Sequence, residues 1–126
     1  MEDNRTTHTI HEDGKIGEVQ IADDVVAIIA GLAATEVEGV ASMYGNITNE
    51  LVSKLGMKNL AKGVKAVLDG DEVIVDLALN VKFGYSIKEV STKVQEKVKA
   101  AIENMTGLAV DLVNIRIANI IVEQNN

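Results

Sequence analysis

A chain of 126 residues, 47% of them hydrophobic, is long enough to bury one core, and without a cysteine it offers no disulfide, thiol nucleophile or thiolate metal site. Its net charge of −7 sits at the front: residues 1–50 carry ten acids and two bases, and residues 51–126 carry nine acids and ten bases. An acidic surface repels phosphate backbones, and Tyr44, Phe83 and Tyr85 are the whole aromatic set, so nucleic acid is not an expected partner.

In chain order, residues 1–14 are polar and charged with no apolar period, and are expected to be a disordered tail without the apolar core of a signal peptide. Residues 15–123 are expected to form a single α/β domain, with 124–126 as a terminal tail. Ile16–Ile21 alternates imperfectly and predicts a short strand. Asp23 or Asp24 can cap the helix that follows, with Val25, Ile28, Ile29, Leu32 and Ala33 as its inner stripe and Gly39 as its end. The run Val25–Ala34 is too short to span a bilayer, so direct insertion into a membrane is not expected. Val40–Met43 reads as a second strand, and Asn46–Lys62 as one short helix and a loop, interrupted at Gly56 and Gly63.

Val64–Leu68, the turn Asp69-Gly70-Asp71 and the strand Glu72–Phe83 predict a β-hairpin. In the second arm Val73, Val75, Leu77, Leu79, Val81 and Phe83 occupy every other position, so one face is buried and the other mostly wet. A two-residue loop puts Val64 and Ala66 on the buried face. Ser86-Ile87-Lys88-Glu89 has the form of a capping box. Ile87, Val90, Val94, Val98, Ala101, Ile102 and Met105 then follow at helical spacing, and Gly107 stands where the helix should stop. Leu108–Val122 is extended and β-branched. Val113, Ile115 and Ile117 share one parity while Ile120 and Val122 take the other, which a bulge near Ala118-Asn119 would reconcile; burial on both faces is the alternative. The expected architecture is a two-layer α/β sandwich with helices on one face of a mostly antiparallel sheet, in the order β-α-β-(short α)-β-β-α-β.

Several of these stretches also resemble a known family. They are Gly17-Glu18-Val19-Gln20-Ile21-Ala22, Val37-Glu38-Gly39-Val40, Lys58-Asn59-Leu60-Ala61-Lys62-Gly63-Val64-Lys65, Asp76-Leu77, Tyr85-Ser86-Ile87, Val94-Gln95-Glu96-Lys97-Val98 and Met105-Thr106-Gly107-Leu108 with Val113-Asn114-Ile115. In this order and spacing they resemble the alkaline shock, or envelope stress response, family of Gram-positive bacteria, over Gly17 to Val122. That resemblance implies a small cytoplasmic protein of cell-envelope homeostasis with no catalytic residues. Some members are held at the inner face of the membrane by a separate anchor protein, and others are associated with control of fatty-acid synthesis.

The residues themselves offer little chemistry. His8 and His11 have H-x-x-H spacing but only Glu12 and Asp13 beside them, which suits a solvated tail better than zinc. Gly14-Lys15-Ile16-Gly17 spells the G-x-x-G of the KH module, yet it precedes a strand in acidic surroundings, where a hinge is the simpler reading. Asp69, Asp71 and Glu72 at a turn, and Asp23-Asp24 at a helix start, are explained by local geometry. Neither a cofactor nor a metal is implied, and no enzyme is expected.

Two surfaces remain as candidates for binding a protein partner. Lys54, Lys58, Lys62 and Lys65 recur in a stretch without acids, and on a continuous helix the first three would form one stripe; a solvated face broken by glycines accounts for them equally well. On the second face of the sheet, Val67, Ile74, Ala78 and Leu112 lie among Asp76, Asn80, Lys82, Asn114 and Arg116, a mixture suited to docking if no helix covers it. A positive mean hydropathy of +0.13 in so small a chain favours association, including self-association into a homo-oligomer. The expected function is a non-enzymatic scaffold or adaptor in the envelope stress response, docking on a membrane-anchored partner. The alternative is a regulatory module controlling a fatty-acid-synthesis enzyme.

Overall fold

The computed structural model describes residues 7–11, 18–45 and 61–122, the first of these by backbone alone. β1 (Thr7–His11) and β2 (Glu18–Ala22) form an antiparallel ribbon with Thr7 opposite Ala22 and His11 opposite Glu18. Thr7–His11 was expected within a structureless tail. Its threonines and Ile10 favour extended backbone without giving an apolar period, so periodicity alone passes over it. The Gly14–Gly17 motif lies outside the described residues, as does most of the helix expected within Asn46–Lys62.

α1 (Asp23–Thr35) follows β2 directly, with both aspartates in its first turn and no side-chain hydrogen bond from its N-cap, Ala22. Negative charge there still complements the helix dipole. The helix buries Val26, Ala27, Ile29, Ala30, Ala33 and Ala34, whereas Val25 and Leu32, expected inside, are exposed. α1 is apolar nearly all round, so its period could not select a face. The side that turns inward is rich in alanine, with Val26 and Ile29 as its larger members.

β3 (Val40–Met43), β4 (Val64–Asp69), β5 (Glu72–Lys82) and β6 (Ala109–Ile121) form the main sheet, with α2 (Ile87–Thr106) between β5 and β6. β5 is its axis. On one side β4 pairs antiparallel with its first half and β3 with its second; on the other side β6 runs parallel to its whole length. The β4–β5 register, Val64 opposite Leu77 and Ala66 opposite Val75, is the one the hairpin turn demands. β3 and β4 abut end to end at Ala78, whose carbonyl accepts from Tyr44 N–H at 2.9 Å while its own N–H donates to Gly63 at 2.8 Å. Gly63 makes this joint possible: its φ is +82°, and a Cβ there would stand 2.7 Å from the Tyr44 carbonyl.

Ser86 caps α2, its hydroxyl accepting from Glu89 N–H at 3.3 Å, and Gly107 ends the helix in the left-handed region. Val90, Val94, Val98 and Ile102 face the sheet fully buried, against Val73, Val75, Leu77, Leu79 and Val81. Ile87 and Met105, at the ends of the stripe, are exposed. β5 stops at Lys82, so Phe83 leaves the core side and is 70% exposed.

Candidate functional site

With α1 and α2 on one face, the other face of the sheet carries the side chains of alternate residues in every strand. The registers lay them out in rows. Val67, Ile74 and Leu112 form one row; Lys65, Asp76 and Asn114 the next; Ala78 and Arg116 the third; Ser42, Asn80 and Asn119 the fourth; Lys82 and Ile121 the last. Ile74, Ala78, Lys82, Leu112 and Arg116, chosen from sequence as partner-binding candidates, thus lie on one face. Of the other three, Lys62 is exposed in the turn before β4, and Lys54 and Lys58 lie outside the described residues.

The apolar row lies between polar ones: Val67 and Leu112, about half exposed, flank Ile74, and beyond them the exposed Asp69 and Glu72 stand opposite each other at the hairpin end. Asn114 Nδ2 donates to Asp76 Oδ1 at 2.8 Å in the row above. Further along, Asn80 Nδ2 donates to Ser42 Oγ at 2.9 Å and Asn119 Nδ2 donates to Asn80 Oδ1 at 3.0 Å, a rung across three strands. That rung explains why Asn80 is only 7% exposed on a side expected to be wet. Ala78, also 7% exposed, lies beneath a second crossing: the Arg116 guanidinium stands over the Tyr44 ring, 5.4 Å from its centroid. Ala78 therefore serves as the small floor of this face rather than as a contact residue. A shallow depression of about 360 Å³ opens there, lined by Tyr44, Gly63, Lys65, Asp76, Asn114 and Arg116.

Sequence reasoning missed Tyr44, because its approach to Arg116 depends on β3 and β4 meeting end to end. Among the described residues no three His, Asp or Glu side chains gather as a metal site, and no helix is long and apolar enough to cross a membrane. What the face offers is an apolar row, amide and hydroxyl hydrogen-bonding groups, the carboxylates of Asp69, Glu72 and Asp76 and the cations of Lys65, Lys82 and Arg116, which is equipment for contact.

Residues 11–122 match the Asp23 family, described as having a cell envelope-related function. The chain belongs to this family. (The label is a family name, unrelated to residue 23 here.) Within the Asp23 family's span it is similar to YqhY, an uncharacterized protein of Bacillus subtilis, with 42% identity over 120 residues, covering 95% of this chain and 89% of YqhY. It is 34% identical to YloU of the same organism over 108 residues, covering 84% of this chain and 90% of that one. A Streptococcus pyogenes protein named stress response regulator gls24 homolog is 26% identical over 105 residues, covering 82% of this chain and 59% of its own. These matches agree with the alkaline shock resemblance read from the sequence. Among solved structures, a variant of a protein titled MamM CTD aligns with TM-score 0.48 and 16% identity, over 76% of this chain and 95% of that one.

Proposed function

We propose that this chain is a non-enzymatic adaptor of the envelope stress response that binds a membrane-anchored protein partner on the open sheet face and also associates with itself. On this reading it works in the cytoplasm, at the inner face of the membrane only through its partner. The observation that supports it is the sheet face opposite α1 and α2, the helices among the described residues: there Val67, Ile74 and Leu112 form an apolar row. The apolar row would supply affinity, and Arg116 with the amide groups would select the partner.

Affinity capture from native lysate, with membrane and soluble fractions kept apart, tests the proposal. The parent and Lys93→Glu, a change on the outer side of α2, should retain one membrane-fraction protein that Leu112→Asp loses. Retention by Leu112→Asp would remove the sheet face from consideration. Capture from the soluble fraction of an enzyme of fatty-acid synthesis would favour the regulatory module instead.

A further inference from the structure

Among the described residues β6 is paired on one side only: its backbone ladder runs to β5 alone, and no described strand pairs with the other edge of this 13-residue strand. Its hydrogen bonds show which residues point outward. Ala109 N–H donates to the Asp71 carbonyl, towards β5, while Val110 N–H donates to Glu103 Oε2 at 3.0 Å and the Val113 carbonyl accepts from Gln95 Nε2 at 3.0 Å, both away from it. Two side chains of α2 thus close the first part of the edge. By alternation the next outward residues are Ile115 and Ile117, and the bulge at Ala118 then breaks the series. An open window of two residues remains, symmetric about Arg116.

We infer that a second copy of this chain pairs antiparallel with this window, Ile115 of each copy lying opposite Ile117 of the other, to make one continuous sheet through a two-fold axis at Arg116. The inference rests on the reading of the chain as self-associating and names where the copies meet. Such an isologous edge contact joins four main-chain hydrogen bonds across the axis. Charge permits a copy of the same chain here: no acid occurs between Asp111 and Glu123, so this edge escapes the self-repulsion expected of a protein of net charge −7. The usual protections of an exposed edge, proline or a lysine, are missing from residues 112–122. Their one charge is Arg116, and like charges opposite each other would oppose pairing. Here the guanidinium is drawn back over Ala78 onto the Tyr44 ring, away from the edge. Tyr44 is accordingly a positioning residue for the contact.

Because the chain has no cysteine, single-cysteine variants report the contact without background. In the proposed register the two residues 116 form a non-hydrogen-bonded pair with Cα atoms about 4.5 Å apart, within disulfide reach. Purified full chain carrying Arg116→Cys should form a disulfide-linked dimer on mild oxidation; Asn114→Cys and Lys93→Cys should not. By sedimentation the parent should be a dimer, Ile117→Pro a monomer, since its N–H faces outward and lies outside the β5 ladder, and Tyr44→Ala should dissociate several-fold more readily. The cysteine arm decides the matter even if the proline variant misfolds. A parent that stays monomeric, or Asn114→Cys linking as readily as Arg116→Cys, would overturn the inference. Val67→Asp separates the two surfaces: it should leave the dimer intact while abolishing partner capture, and loss of the dimer would place the second copy on the open face instead.

Discussion

Val98 lies at the centre of the α2 face that meets the sheet and is 0% exposed. Val98→Ala removes two methyl groups at about 0.8 kcal/mol each and leaves a small cavity, for a total of about 2 kcal/mol. Val98→Asp loses the same apolar contact and adds a carboxyl to a site walled by Val, Leu and Ile. Desolvation would raise that carboxyl's pKa by about 3 units, which costs about 4 kcal/mol at neutral pH. The sum, about 6 kcal/mol, rivals the whole stability of a small domain. The sign with pH follows from the raised pKa: the unfolded chain loses its proton first, so the added penalty is absent below about pH 4 and grows towards pH 7. Urea unfolding followed by circular dichroism at pH 5 and pH 7, for parent and both variants, measures this. An aspartate variant that unfolds with the parent, or one whose penalty is the same at both pH values, would refute the packing described for α2.

Three further outcomes are expected from the same assay. Gly39→Ala should cost at least 2 kcal/mol, since φ is +100° and the new Cβ would lie 2.7 Å from Val90 Cγ2, whereas Gly70→Ala, at φ +65° in open space, should show only backbone strain of about 1 kcal/mol; equal losses would mean that the Val90 contact is relieved. Ser86→Ala should cost about 1 kcal/mol by uncapping α2, and Ser86→Asp should restore it. Asn80→Ala should cost about 1–3 kcal/mol because Ser42 and Asn119 lose their shared partner, and pairing it with Asn119→Ala should give much less than the sum of the two losses.

Most of the fold was legible because each element carried its own signals. The hairpin of β4 and β5 was written twice, in the alternation of both arms and in Asp69-Gly70-Asp71, and the structure keeps that register. α2 announced its start at Ser86 and its end at Gly107. Where one signal stood alone it misled: α1 has apolar residues on nearly every side, so periodicity could not pick out the buried face, which carries Val26, Ala27, Ile29, Ala30, Ala33 and Ala34. Thr7–His11 had no apolar period at all and pairs through its backbone. The direction of β6 was not legible either, because a strand's sequence does not record whether its neighbour runs with it. Of the site, parity alone placed Ile74, Leu112 and Arg116 on one face. The Tyr44–Arg116 contact was invisible, since it requires knowing that residue 44 ends beside Ala78.

The bulge at Ala118 was foreseen from the parity of Ile120, and it bears on both the face and the edge. β6 spends 13 residues along the 11 of β5, and the surplus falls at Asp111 and Ala118. Beyond the second bulge Asn119 lies opposite Asn80, so the amide rung continues, and Ile120 returns to the helix side opposite Val81, though at 43% exposed it lies past the core that Ile117 reaches. Deleting Ala118 would join Ile117 to Asn119 in strict alternation: Asn119 would still face the open side and Ile120 the helix side. The fold should therefore survive, with stability within about 1–2 kcal/mol of the parent, the scale of an ordinary single substitution. The edge, however, would change. Ile120 would become the next outward residue after Ile117, lengthening the window available to a second copy. Sedimentation of the deletion variant should then show a tighter dimer than the parent, with Arg116→Cys still linking on the axis. Association unchanged or weakened in a variant that remains folded would mean that the copies do not meet along β6.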